Sequence, residues 1–133
     1  MQTFLPFPSL DSIKYLDPSR LGNQVYREGV TLIKGKWKNH PASKMWKGYE
    51  HSLALYCLYG LDELKNRGRY YSKWYEFFEK FIEEVKDNTE LPFWFGDERL
   101  HSSHRASLLY KNYEWYSKFG WKEEPKIEYF WPI

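Results

Sequence analysis

Glu28 is the side chain in this sequence best placed to move a proton. It stands in LDPSRLGNQVYREGVTLIKG, residues 16 to 35, where Leu21, Val25, Gly29 and Leu32 recur at spacings of four, four and three. That period lays an apolar face along an α-helix. Gln24 and Glu28 lie one turn apart beside the stripe, so a carboxylate is drawn toward the apolar side. Burial there raises a carboxyl pKa, and a guanidinium from Arg20 or Arg27 lowers it again. Such opposition is how acid/base residues are made. The same spacing suits a rim glutamate paired with its arginines, and the pattern alone leaves both open.

HSSHR, residues 101 to 105, is the second group. Ser102 or Ser103 can cap a helix, which puts His101 and His104 at a helix start, where free N–H groups and the dipole favour phosphate. Arg105 adds a fork matching two phosphate oxygens. His-x-x-His with no cysteine cluster beside it is a poor zinc site, so no metal is expected. The other reading has both histidines hydrogen-bonded within the fold. No glycine-rich phosphate loop and no Ser-His-Asp arrangement is readable, and no cofactor is expected.

The net charge is only +2, yet it is sorted along the chain. Lys34 to Lys47 holds five lysines and His40 without an acid, and acid-free runs recur at 65–73 and 99–111. Sorting of this kind can give a positive face to a nearly neutral protein, and solvated lysines on separate surfaces would show the same pattern. Lys44, Trp46 and Lys47 are read as duplex contacts on that face. Aromatics make up 21% of the chain, with twelve tyrosines and seven tryptophans. Their flat faces can stack on bases, with Trp37, Trp46 and Trp121 as candidates, although core packing also consumes aromatics.

The elements that must position these groups are helical. An extended, apolar N-terminal arm occupies residues 1 to 15. Asp17 and Pro18 start a first helix running to about Lys34, and Gly35 stops it. A second helix is expected from about Ser43 to Asn66 and a third from about Tyr71 to Val85. A loop at 87–97 precedes a fourth, from Ser102 or Ser103 to about Ser117. An aromatic tail closes the chain. The expectation is an all-α, compact single domain over residues 1–133 with about four helices. Cys57 is the single cysteine, which fits a reducing compartment. With no eighteen-residue apolar run and no signal peptide, a soluble, cytoplasmic monomer without membrane contact is expected.

The sequence resembles the pyrimidine-dimer DNA glycosylases, the endonuclease V type of T-even phages and its bacterial and viral relatives. Tyr26-Arg27-Glu28 stands where that family has Tyr-Arg-Glu with its catalytic glutamate. The likeness continues through GYEHSLALY, DELKNRGRY, SHRASLL and the aromatic, lysine-bearing YEWYSKFGWK. It implies double-stranded DNA as partner and a two-step reaction. The N-terminal α-amine attacks C1′ of a damaged pyrimidine nucleotide, the base leaves, and the glutamate assists strand cleavage through the Schiff base. Arg20, Gln24 and Arg27 would orient sugar and phosphate, while His101, His104 and Arg105 would bind phosphate or line the pocket. The phage enzyme exposes a threonine after Met1 is removed, whereas residue 2 here is Gln2. A bulky second residue retains Met1, so the Met1 amine is the expected nucleophile. Without it, Glu28 would activate water in a monofunctional glycosylase. Removal of a hypermodified pyrimidine, and DNA binding without chemistry, are the alternative readings.

Overall fold

The computed structural model describes residues 2–86 and 88–133, and every regular element in them is helical. The α-helices are α1 (Pro18–Asn23), α2 (Val30–Ile33), α3 (Pro41–Trp46), α4 (Glu50–Asn66), α5 (Ser72–Glu84), α6 (Glu98–Lys111) and α7 (Tyr113–Tyr116). Short 3-10 helices occupy Leu10–Tyr15 and Ser117–Phe119. The protein is all-α, with the expected four helices divided more finely.

Between α1 and α2, Gln24–Gly29 forms a π-turn while the backbone stays helical, with φ −59° at Asn23 and −63° at Val30. The expected first helix is thus one path with a π-turn at its middle. Two glycines let that path lie close to α4. A Cβ on Gly29 would collide with the Cys57 sulfur and stand 3.0 Å from the Gln24 carbonyl. A Cβ on Gly60 would come within 2.5 Å of Val25 and 2.7 Å of Ile13. Around this contact Leu5, Ile13, Leu16, Leu21, Val25, Leu53, Tyr56 and Leu61 are buried.

The expected second helix is broken. Gly48 takes φ 88°, ending α3 before α4 begins at Glu50. The fourth helix starts earlier than expected because Asp97, rather than Ser102 or Ser103, caps it by accepting from Arg99 N at 3.1 Å. His101 and His104 therefore lie inside α6. The extended conformation of Asn112 (φ −153°) separates α6 from α7. The arm is extended only up to the 3-10 turn at Leu10. α5 packs on α4 by one face, with Phe78 wholly buried and Trp74, Phe77, Phe81 and Ile82 half-buried. Residues 121–133 run without regular structure and lay Tyr129, Phe130 and Trp131 against the body.

Candidate active site

A buried extended segment must satisfy its backbone polar groups without a strand beside it. Side chains from the π-turn, α3, α4 and α6 bind the polar groups of residues 2 to 6. Gln24 accepts from Phe4 N at 2.8 Å and donates to the Gln2 carbonyl at 2.7 Å. The Tyr56 hydroxyl donates to the Phe4 carbonyl at 2.7 Å and also meets Gln24 Oε1 at 2.9 Å. Trp46 Nε1 donates to the Thr3 hydroxyl at 2.9 Å.

Leu5 is clasped from both sides. Its N–H donates to His104 Nδ1 at 2.9 Å, and its carbonyl accepts from His101 Nδ1 at 2.8 Å. These bonds fix opposite tautomers, with the proton on Nε2 of His104 and on Nδ1 of His101. His101 Nε2 then accepts from Gly96 N at 3.1 Å. Burial holds both rings neutral, lowering His101 and pushing His104 down to about 3. Arg105 donates to the Pro6 carbonyl at 2.6 Å and pairs with Glu98 and Glu123.

His101, His104 and Arg105 were expected to bind phosphate or line a pocket. All three are buried, and apart from His104 Nε2, which has no partner, their polar groups are engaged inside the fold. With two carboxylates on its guanidinium, Arg105 has no free fork for a phosphate. The within-fold reading of these histidines is the one the geometry fits: α6 grips the arm. Trp46 is buried as well, 5.0 Å from Trp94 ring to ring, and presents no face for a base.

Glu28 lies half-buried on the π-turn, one turn beyond Gln24. π-turns recur at functional positions in helices because the extra residue re-aims the side chains around it. Burial pushes the His40 imidazole down, and the Glu28 charge draws it partly back. His40 Nδ1 accepts from Ala42 N at 3.0 Å and so caps α3. Arg27 is exposed beside Glu28. Arg20 turns back to Asp17 at 3.0 Å. Asp17 is buried: desolvation alone would raise its carboxyl, but Tyr116, Asn112, Ser19 and Arg20 bring it below the usual range. Met1, the expected nucleophile, lies outside the described residues.

One turn past Glu28, Leu32 opens a groove of about 600 Å³ floored by Trp46 and Leu53. Lys36, Lys38, Lys44 and Lys47 line it, with Glu50 as its one acidic residue. The expected contacts Lys44 and Lys47 are exposed here, joined by two lysines from the preceding loop. Among the described residues, no three His, Cys, Asp or Glu side chains converge as metal ligands. No helix in them is long and apolar enough to cross a membrane.

A buried arm held at Gln2 and Phe4 by Gln24, one turn before the half-buried Glu28, stands with a lysine groove lined from Leu32 onward. Residues 1–83 match the family described as pyrimidine dimer DNA glycosylase. The chain belongs to that family. No curated protein and no solved structure matches it. The matched stretch of this glycosylase-family chain contains Gln24, Glu28, Tyr56 and all four groove lysines; α6 and its histidines lie beyond it.

Sequence reasoning missed Tyr56, Thr3 and His40 as members of the site. The hydroxyl contact of Tyr56 with residue 4 spans 52 positions and has no local signature. Lys36, Lys38 and His40 were visible in the acid-free run from 34 to 47, but the run alone did not say which lysines share a surface.

Proposed function

We propose that this protein excises a damaged pyrimidine, pyrimidine dimers foremost, from duplex DNA and then cleaves the strand at the resulting abasic site. The observation that carries the proposal is the bond from Gln24 to the Gln2 carbonyl at 2.7 Å. It fastens the residue next to Met1 to Gln24, which stands one helical turn before Glu28, and consecutive Cα atoms are about 3.8 Å apart. An α-amine, ordinarily near pKa 8, carries a far larger neutral fraction at pH 7 than a lysine.

In this reading the amine attacks C1′, and the glycosidic bond breaks with its electron pair leaving on the base. Glu28 takes the surplus proton of the attached amine and delivers it to the ring oxygen as the C1′–O4′ bond breaks and the sugar opens to an iminium. The same carboxylate then takes the C2′ proton, and the 3′ phosphate departs by β-elimination. Lys36, Lys38, Lys44 and Lys47 hold the duplex backbone across the groove, and Arg27 steadies a phosphate beside Glu28.

Borohydride trapping on an abasic duplex tests this. The wild-type protein forms an adduct mapping to the N-terminal residue, and N-terminal acetylation prevents it. Glu28→Gln keeps DNA binding and loses at least a hundredfold in strand cleavage, the scale of a lost general acid–base. An adduct on an internal lysine, or undiminished cleavage by Glu28→Gln, overturns the assignment. Base release with no adduct reassigns Glu28 to activating water.

A further inference from the structure

Trp37 is the position where the backbone and the side chain both resist explanation by the fold. It is the one non-glycine residue with positive φ among those described, at 64°, and the residue is 61% exposed. A left-handed conformation is disfavoured for a bulky L-residue. Burial does not offset that cost here, because most of the indole faces solvent. The conformation is nonetheless held in place, since His40 N donates to the Trp37 carbonyl at 2.9 Å, and the His40 ring meets the indole edge-on at 6.2 Å.

Its surroundings point to a nucleic acid. Lys36 and Lys38 flank it in sequence and line the lysine groove. On its other side His40 leads to Trp131 at 6.0 Å and feels the Glu28 charge. Of the other two tryptophans that sequence put forward as stacking partners, Trp46 is buried, and Trp121 is already stacked on Tyr116 at 5.5 Å and 20°. An exposed, backbone-fixed indole flanked by two lysines of the groove has the makings of a base-stacking platform.

We propose that Trp37 is a wedge that enters the duplex at the lesion and stacks in the gap left by the displaced nucleotide. This rests on the DNA-directed reading of the site. Extruding a nucleotide breaks stacking on both its neighbours, and an aromatic face in the vacancy restores part of it. Fixed by His40 beside the groove lysines, the indole keeps the gap open.

The test uses the full chain and a duplex with one tetrahydrofuran abasic analogue beside 2-aminopurine, compared with the intact duplex. The analogue has no aldehyde, so binding to it requires neither the amine nor Glu28. Trp37→Ala should lose about tenfold in affinity for the gapped duplex, the scale of one base–aromatic stack. It should bind the intact duplex within twofold of wild type with the salt slope unchanged, and the 2-aminopurine quenching should vanish. Trp37→Phe should recover most of both signals. Trp37→Gly should melt higher than Trp37→Ala, because glycine relieves the left-handed backbone. Unchanged gapped-duplex affinity and quenching in Trp37→Ala overturns the wedge, and so does equal loss on both duplexes with a lower salt slope. If the wild type traps and cleaves abasic DNA while Trp37→Ala is indifferent, the proposed function stands and the wedge falls. If Trp37→Ala loses the gapped duplex selectively while no base release or trapping occurs, the wedge stands and the chemistry falls.

Discussion

Gln24 donates through Nε2 to the Gln2 carbonyl at 2.7 Å, while its Oε1 accepts from Phe4 N at 2.8 Å. One amide therefore answers a donor and an acceptor of the arm two residues apart, as an adjacent β-strand would. Both partners are buried, so removing the amide leaves them orphaned.

Gln24→Leu keeps the volume and removes both bonds. Each orphaned buried group costs about 1–3 kcal/mol, so a loss of about 2–6 kcal/mol is expected in urea unfolding. Strand cleavage at an abasic site should fall further than the folded fraction does, because the arm's end is no longer held near Glu28. Cleavage that merely tracks the folded fraction would show that Gln24 supports the fold alone.

The clasp on Leu5 should fail in acid. His104 is held neutral with its value pushed down to about 3, while in the unfolded chain it titrates near 6.5. A lowered folded value means the unfolded state binds the proton first. The stabilisation is complete above about pH 6.5 and is lost progressively as pH falls toward 3, at about 1.4 kcal/mol per pH unit. His101 is lowered in the same direction and adds to the slope. Asp17 also has a lowered value, but its loss belongs below the ordinary carboxylate range, so pH 6.5 to 5 isolates the histidines. His104→Asn offers Oδ1 to Leu5 N without a titrating ring. Urea unfolding between pH 6.5 and 5 should show a shallower slope for this variant; identical slopes would remove His104 from the acid response.

How legible this was depended on the range of each interaction. The Asp17-Pro18 start and the Gly35 stop are local chemistry and were readable, as was the helical class. The π-turn was not, because an i→i+5 bond leaves no mark on composition, and Gly29 passed for a member of the apolar stripe. The break at Gly48 was hidden by Met45, Tyr49 and Leu53, whose spacing of four runs straight through it. Asp97 and Ser102 are both competent caps, and only the Gly96–His101 contact and the arm beyond it favour the earlier one. The spacing of His101 and His104 was plain, but their partner Leu5 lies 96 and 99 residues away. A ring nitrogen meeting a distant backbone group has no signature in the chain.

The acid-free run from 34 to 47 contains its own control. Lys36, Lys38, Lys44 and Lys47 line the groove, whereas Lys34 lies over the Phe77 ring at 6.0 Å. Changing any groove lysine to Gln should weaken binding to all duplex sequences alike and lower the salt slope by about 0.9. Lys34→Gln should leave the slope where it was. A slope that responds to Lys34 and not to the other four would move the DNA to the α5 side.

Gly29→Ala tests whether the π-turn is held by contact with α4. In an ordinary helix interior this change stabilises by about 1 kcal/mol. Here the added methyl would collide with the Cys57 sulfur and crowd the Gln24 carbonyl at 3.0 Å. Overpacking of this kind costs about 1–3 kcal/mol, so the net change should be destabilising. Cys57→Ala on its own leaves a small cavity. In the double variant the cavity receives the Gly29→Ala methyl, and a thermal double-mutant cycle should show a coupling of about 1 kcal/mol in favour of the pair. Glu28 is the residue immediately before Gly29, so Gly29→Ala should lose abasic-site cleavage beyond its loss of stability, and Cys57→Ala should restore part of it. A neutral or stabilising Gly29→Ala would mean that the close approach of the π-turn to α4 is not what holds Glu28 in place.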